Sequence, residues 1–323
     1  MPPLGSLEQE FPIIDSNFRR FCASHGIFSV EDFLVNDLCA LTGFAEREPM
    51  SEALKKGIAQ VVSLMDRQHQ PWLNGIDLLR DARGNKRILP TGCQGIDFVL
   101  QGGLREGLLV ELVGPSSSGK TQVCLHAAAH VVDEQLGTVM FLDTGNSFSA
   151  ERISSFLDHS SMSSSYSKVA KERRCCSVMN SIVCQPVFDI FELLDMLHQL
   201  GITLSHKVRS EGNKLCLLIV DSISSLITPI LGGKDSHGRS LMISTGFALK
   251  RLANEHNLSV LVTNHMVGGE GGTLKPALGE SWKSIPHMRL LLSHDCGTNM
   301  CTVSVLKHSS MVPSSQVSAA TVI

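Results

Sequence analysis

Residues 112–122 read LVGPSSSGKTQ, an apolar run that breaks into a glycine- and serine-rich loop closing on Gly-Lys-Thr. No other stretch limits the fold as tightly. The spacing Gly114-x4-Gly119-Lys120-Thr121 needs a strand before it and a helix after it. The backbone of Gly114, Pro115, Ser116, Ser117, Ser118 and Gly119 must curl until its N–H groups face inward, and the helix adds the positive end of its dipole. In that frame Lys120 reaches the β- and γ-phosphates and Thr121 ligates the metal, so the expected cofactors are ATP and Mg2+.

The flanking sequence supplies that frame. Leu108–Val113 reads as a strand, and a helix is expected from Thr121 to Glu134. TVMFLD (138–143), SIVCQPV, LCLLIVD (215–221) and SVLVTNH (259–265) follow as strands. Helices are expected from Ala150, through VFDIFELLDMLHQL and around 240–254, with MRLLLS and CTVSVLK as a closing pair of strands. Continuously apolar strands separated by helices predict a mostly parallel sheet with helices on both faces, an α/β core. Asp221 ends such a strand about a hundred residues past the loop, where a carboxylate can hold the Mg2+ shell. The wide spacing, with another strand between, and the lack of a basic lid argue against a small nucleotide kinase.

Ahead of this core, residues 1–66 read as a helical domain. Phe18, Phe21 and Cys22 share one face and stop at Gly26; Ser29 and Asp32 open a second helix; Leu54, Ile58, Val61 and Met65 line a third from Ser51. Residues 67–88 turn polar and read as a linker with a short helix at 76–80, which leaves 89–323 for the core. A second polar stretch, 158–174, reads as a surface insertion. The net charge of −3 offers no overall basic field for nucleic acid, so any DNA contact must be local. The start lacks a secretory pattern and no apolar stretch reaches membrane-spanning length, so an intracellular protein with no membrane partner is expected. The ten scattered cysteines form no C-x-x-C pair and read as reduced, packed thiols, and His126 and His130 read as packing or surface histidines.

LPTGCQGIDFVLQGGLREGLLVELVGPSSSGKTQVCLHAA, FLDTGNSFSAERI, LLIVDSISSLI and VLVTNH together resemble the core of the RecA-type recombinases. TPILGG and LKPALGESWKSIPHMRLLL place the resemblance among the eukaryotic DNA-repair recombinase paralogues, nearest the D-type paralogue, over residues 85–313. The resemblance implies a RecA-like P-loop ATPase core and a nuclear role in homologous-recombination repair. It implies hetero-oligomers with other recombinase paralogues and contact with single-stranded or branched DNA. By position, Arg152 matches the adenine-stacking arginine, 229–239 the first DNA-facing loop and 266–282 the second. Lys234 and Arg239 would serve the first loop and Lys275 and Lys283 the second; so few cations imply modest, salt-sensitive DNA affinity. Trp282 is open between stacking a base and packing in the core.

The chain departs from the family pattern at two positions. Active members carry a water-orienting glutamate two residues past the aspartate of the second strand; here Asp143 is followed by Thr144 and Gly145. Losing such a group typically lowers a rate by about 10²–10⁴. The γ-phosphate-sensing glutamine after Asn264 is replaced by His265, shorter and titratable. The reading is therefore an ATP-binding mediator or assembly subunit with weak hydrolysis, its catalytic-position residues Lys120 and His265. The alternatives are an active DNA-dependent ATPase that itself exchanges strands, and a RecA-fold ATPase in signalling. Lys307 is a candidate for completing a neighbour's ATP site.

Overall fold

The computed structural model describes residues 4–8, 11–30, 32–68, 74–84, 86–159, 167–206, 214–231, 237–269, 274–295, 300–308 and 319–322. The chain divides into two compact units, Met1–Asp81 and Ala82–Ile323.

The first unit holds α1 (Ser16–Ser24), α2 (Asp32–Val35), α3 (Leu38–Ala45), α4 (Ser51–Gln68) and most of α5 (Gly75–Gly84). Asp15 caps α1 by accepting from the Phe18 N–H at 2.8 Å, which satisfies one of the orphan donors of a helix start. Asp32 accepts from the N–H groups of Phe28 and Ser29, and these two bonds hold its carboxyl below the usual range. Phe18, Phe21, Cys22, Phe33, Leu54, Ile58 and Val61 form one buried cluster. The helix α3 has no counterpart in the expected three. Its start is set by Asp37, whose carboxylate accepts from Cys39 and Ala40, a short-range signal within a segment only eight residues long.

The second unit is built on β1 (Ile88–Leu89), β2 (Leu104–Arg105), β3 (Leu109–Gly114), β4 (Thr138–Asp143), β5 (Ile182–Pro186), β6 (Leu215–Asp221), β7 (Ser259–Gly268), β8 (Leu274–Pro276), β9 (Met288–Asp295), β10 (Met300–Lys307) and β11 (Ala319–Val322). Strands β1 and β2 pair with each other; the main sheet runs β11-β10-β9-β3-β7-β6-β4-β5, with β8 paired to β7. From β9 to β5 the strands are parallel, and β10 and β11 are antiparallel additions. The helices are α6 (Gln94–Val99), α7 (Lys120–Asp133), α8 (Ala150–His159), α9 (Lys168–Asn180), α10 (Ile190–His206), α11 (Ile223–Leu231), α12 (His237–His256) and α13 (Gly279–Lys283). One apolar cluster joins α6, α7 and α8 to the sheet and a second joins α10, α11 and α12, so both faces are covered and the strands need no polar alternation. The mostly parallel α/β core is as the apolar strands predict. The polar stretch at 158–174 is not all insertion: residues 160–166 lie outside the described residues, and α9 begins at Lys168. Val178 alone in α9 is fully buried, which leaves almost no apolar stripe to read.

The centre of the sheet holds a charge. Glu111 on β3 is completely buried, accepting from Asn264 Nδ2 at 2.7 Å and Trp282 Nε1 at 3.0 Å, and it pairs with the Arg289 guanidinium. Trp282 is itself fully buried, so the core role for this indole holds and the base-stacking one does not. Removing one partner of a buried pair strands the other charge in a low-dielectric interior. Glu111→Leu should therefore destabilise the chain by about 3–5 kcal/mol, and Glu111→Leu/Arg289→Met should recover most of that loss. Denaturant unfolding of both variants checks this; a single variant as stable as the parent would contradict it.

Candidate nucleotide site

The site lies at the carboxyl ends of the parallel strands. After β3 the backbone passes Ser117 at φ 61° and Gly119 at φ 91° before α7 begins at Lys120. Gly114 tolerates no side chain: a Cβ there would sit 2.4 Å from Ser118 Oγ and 2.6 Å from the Leu292 carbonyl. The loop is also held from below, where the Cys301 thiol donates to the Ser118 carbonyl at 3.3 Å. Ser116 and Ser117 are exposed, Pro115 and Thr121 half-buried.

Lys120 is almost fully buried and folds back on its own loop. Its ammonium donates to the carbonyls of Gly114 (2.8 Å) and Pro115 (2.7 Å) and to Ser118 Oγ (3.4 Å). Burial lowers its pKa, and nearby Asp221 opposes that shift. An ammonium held by neutral carbonyls at the start of α7 suits a polyanion, and the residues present fit Mg·ATP.

Asp221 ends β6, level with Asp143 of β4 in the ladder. Its carboxylate accepts from Thr263 Oγ1 at 2.5 Å and from Ser147 Oγ at 3.3 Å, which fixes its orientation. The peptide that follows, Asp221–Ser222, is cis. Asp143 is differently employed. Its Oδ1 accepts from the N–H groups of Gly145 and Ser147 and from Ser147 Oγ, and its Oδ2 from the Phe148 N–H. Both oxygens are spent on closing the turn after β4, so Asp143 does not stand in for the glutamate that Gly145 replaces. Ser147, which touches both carboxylates, has no motif to announce it.

His265 stands beside Gly114 in the β3–β7 ladder, which brings it to the phosphate loop. Its Nε2 lies 2.9 Å from Ser222 Oγ, and its backbone N–H donates to Ser224 Oγ at 3.0 Å. Partial withdrawal from water, and after it the Lys120 charge, lower its pKa, against the pull of Asp221; the ring is therefore neutral at physiological pH. Arg152 lies exposed on α8, its backbone N–H bonded to Ser149 Oγ.

The loop cations are spread out. Lys234 lies outside the described residues. Arg239 is exposed in the first turn of α12, and Lys275 is exposed on β8, opposite Val267 of β7. Lys283 is exposed and paired with Glu280 at 3.3 Å. Lys307 sits at the opposite edge of the sheet, where its ammonium donates to the carbonyls of Lys283, Ser284 and Pro286. His126 and His130 pack, with His126 Nδ1 2.9 Å from the Thr91 carbonyl and its ring against Phe156.

Residues 82–309 match the Rad51 family. The chain belongs to the Rad51 family. It is 38% identical to the bovine DNA repair protein RAD51 homolog 4 over 220 residues, 68% of this chain and 65% of that protein. It is 35% identical to the mouse protein of the same name, with the same coverage. A Dictyostelium discoideum probable DNA repair protein RAD51 homolog 4 is 27% identical over 248 residues. The matched part thus spans just under two thirds of the length of the two mammalian relatives. This Rad51-family chain is a RecA-like eukaryotic recombinase paralogue, as the strand-end motifs imply.

Gly145 is exposed, its φ lies outside the left-handed region, and a Cβ built there meets nothing within 4 Å. Glycine is therefore not demanded by the backbone at this position. Gly145→Glu should fold normally, changing stability by less than about 0.5 kcal/mol in thermal unfolding. A loss above about 2 kcal/mol would show that the turn needs its glycine after all.

Proposed function

We propose that this chain is an ATP-binding subunit of the homologous-recombination machinery, working in the nucleus with other recombinase paralogues to support a recombinase filament on single-stranded or branched DNA. It holds its nucleotide rather than consuming it. The Rad51-family membership and the names of its relatives, DNA repair proteins, support the repair and recombination role. The observation that carries the holding role is at the end of β4, where Gly145 supplies no carboxylate and Asp143 is committed to its turn.

Mg·ATP would supply a phosphoanhydride whose charge is felt across the strand ends. Around it, Lys120 can exchange the carbonyls of Gly114 and Pro115 for phosphate oxygens, and the N–H groups of residues 116–119 would complete the cradle. Thr121 and Asp221 would hold the metal, with Thr263 and Ser147 fixing the Asp221 carboxylate. Arg152 is free to cover the base from α8. His265, neutral and bonded to Ser222, links the phosphate side of the site to β7 and through it to β8, where Lys275 lies. That strand connects nucleotide occupancy to the second DNA-facing loop. Gly145 supplies no carboxylate to orient a water, which supports this reading over that of an active strand-exchange ATPase.

Lys120→Ala removes the only cation buried in the loop among the described residues. Charge-assisted bonds to phosphate are roughly twice as strong as neutral ones, so the substitution should weaken binding of a fluorescent ATP analogue by about 10-fold or more. Equilibrium titration in the presence of Mg2+ checks this. An unchanged affinity would remove Lys120 from the site and the phosphate-loop reading with it.

A further inference from the structure

The parallel strands carry the phosphate loop at one end, and basic residues, lysines and arginines with two histidines among them, gather at the other. Lys214 precedes β6, His256 precedes β7, Arg105 precedes β3 and His287 precedes β9. Lys307, at the end of antiparallel β10, pairs in register with Arg289 near the start of β9. Lys86 joins them: its Nζ would lie 3.0 Å from a Cβ on Gly107, whose N–H bonds the Leu258 carbonyl just ahead of β7. Lys250 comes to the same place from α12: it stands one turn past Gly246, where a Cβ would meet Ile285 and Trp282 just ahead of His287, and its charge is felt at that imidazole.

Few carboxylates answer these charges. Glu106 is buried and taken by Arg87, with Lys214 at 3.8 Å. Glu255 pairs with Arg251, Glu280 with Lys283, and Glu111 with Arg289 inside the core. Lys86, Lys250 and Arg105 have no ion-pair partner among the described residues. The imidazole at the centre records the excess: burial, and after it the three lysines, push His287 down to about 4, while its Nδ1 accepts from the Leu109 N–H. Lys307 loses protons more easily than usual, from burial and from the charges of Lys250 and Arg289.

From β10, which Lys307 ends, to β3, which Arg105 precedes, there are two strand spacings of about 4.8 Å, so the cations without an ion-pair partner among the described residues span about 10 Å. Phosphates on one strand of a duplex recur about every 3.4 Å along the axis, so such an edge faces several of them at once. A polymer with charge at regular intervals fits a row of this length better than a folded acidic surface does. The glycine-rich loops, in contrast, expose only scattered cations such as Arg239 and Lys275 among the described residues.

We propose that the amino-terminal edge of the sheet is a second DNA contact, in which Lys86 and Lys250 bind the phosphodiester backbone within the field of Arg105 and Lys307, at the opposite end of the strands from the phosphate loop and from Lys275. This rests on the reading of the chain as a DNA-binding repair protein. A subunit with two DNA contacts on opposite edges can hold two strands, or two arms of a branched molecule, without itself forming a filament.

The test is fluorescence anisotropy of a labelled oligonucleotide, single-stranded and branched, with the full chain and with Lys86→Gln/Lys250→Gln over a salt series. The double variant should bind branched DNA about 10-fold or more weakly, and the slope of log affinity against log salt should shrink by about 0.7–0.9 for each phosphate that is no longer neutralised. Its ATP-analogue binding and melting temperature should match the parent, since neither ammonium has an ion-pair partner among the described residues. Lys275→Gln should lower affinity independently, leaving the contribution of the edge in place. If the parent binds DNA and the double variant matches it in affinity and slope, the edge is not a DNA contact. If the double variant loses binding of polyglutamate but keeps that of DNA, the edge is a surface for acidic protein and the proposal falls. If the parent binds no DNA, the DNA-binding reading fails first and takes this proposal with it.

Discussion

A carboxylate shut into the middle of a parallel sheet must be answered by donors from every side, and Glu111 is answered from β7, β9 and α13. The interaction costs desolvation and repays it only if all the donors arrive together. That requirement fixes the register of β3 between its two neighbours. It also pins α13, which closes the segment 266–282 proposed to face DNA, through the buried indole of Trp282. Three residues past Glu111 the same strand becomes the phosphate loop, and Asn264, one of the donors, directly precedes His265. The nucleotide site, the loop that faces DNA and the core thus share one electrostatic anchor.

Chemistry at the strand ends follows from how each polar group is employed. Asp221 keeps a carboxylate oriented by two hydroxyls, whereas Asp143, level with it, gives both oxygens to backbone N–H groups of its own turn. Two aspartates at matching positions therefore have different surroundings: Asp143 closes a turn, and Asp221 is the one proposed for a metal. In the proposed function the site would grip a triphosphate through Lys120 and its loop, while Gly145 offers no carboxylate to aim a water. Binding without turnover suits a subunit whose nucleotide state orders a neighbour.

Much of this was legible in the residues because long-range physics leaves short-range marks. Gly114 and Gly119 are required by crowding and by a left-handed φ, and the apolar runs at 109–114, 215–221 and 259–265 are required by burial on both faces. What stayed hidden had no periodic signal. Helix α3 is announced by a single cap, α9 buries almost nothing, and β8 is three residues long. The contact of Ser147 with both aspartates and the support of the loop by Cys301 join residues distant in sequence, which no spacing rule can pair. The basic edge is hidden for the same reason: its cations belong to separate segments of the chain, and the net charge of −3 averages them away.

The account turns on a nucleotide that is held and not consumed. The most direct measurement is the fate of radiolabelled ATP on the purified full-length chain with Mg2+, with and without single-stranded DNA, read as bound nucleotide and released product over time. The account predicts ATP retained near one per chain, with hydrolysis slower than that of an active recombinase by about 10²–10⁴ and little changed by DNA. Rapid, DNA-stimulated release of ADP, abolished in Lys120→Ala so that no contaminating ATPase explains it, would contradict the account and identify the chain as a motor.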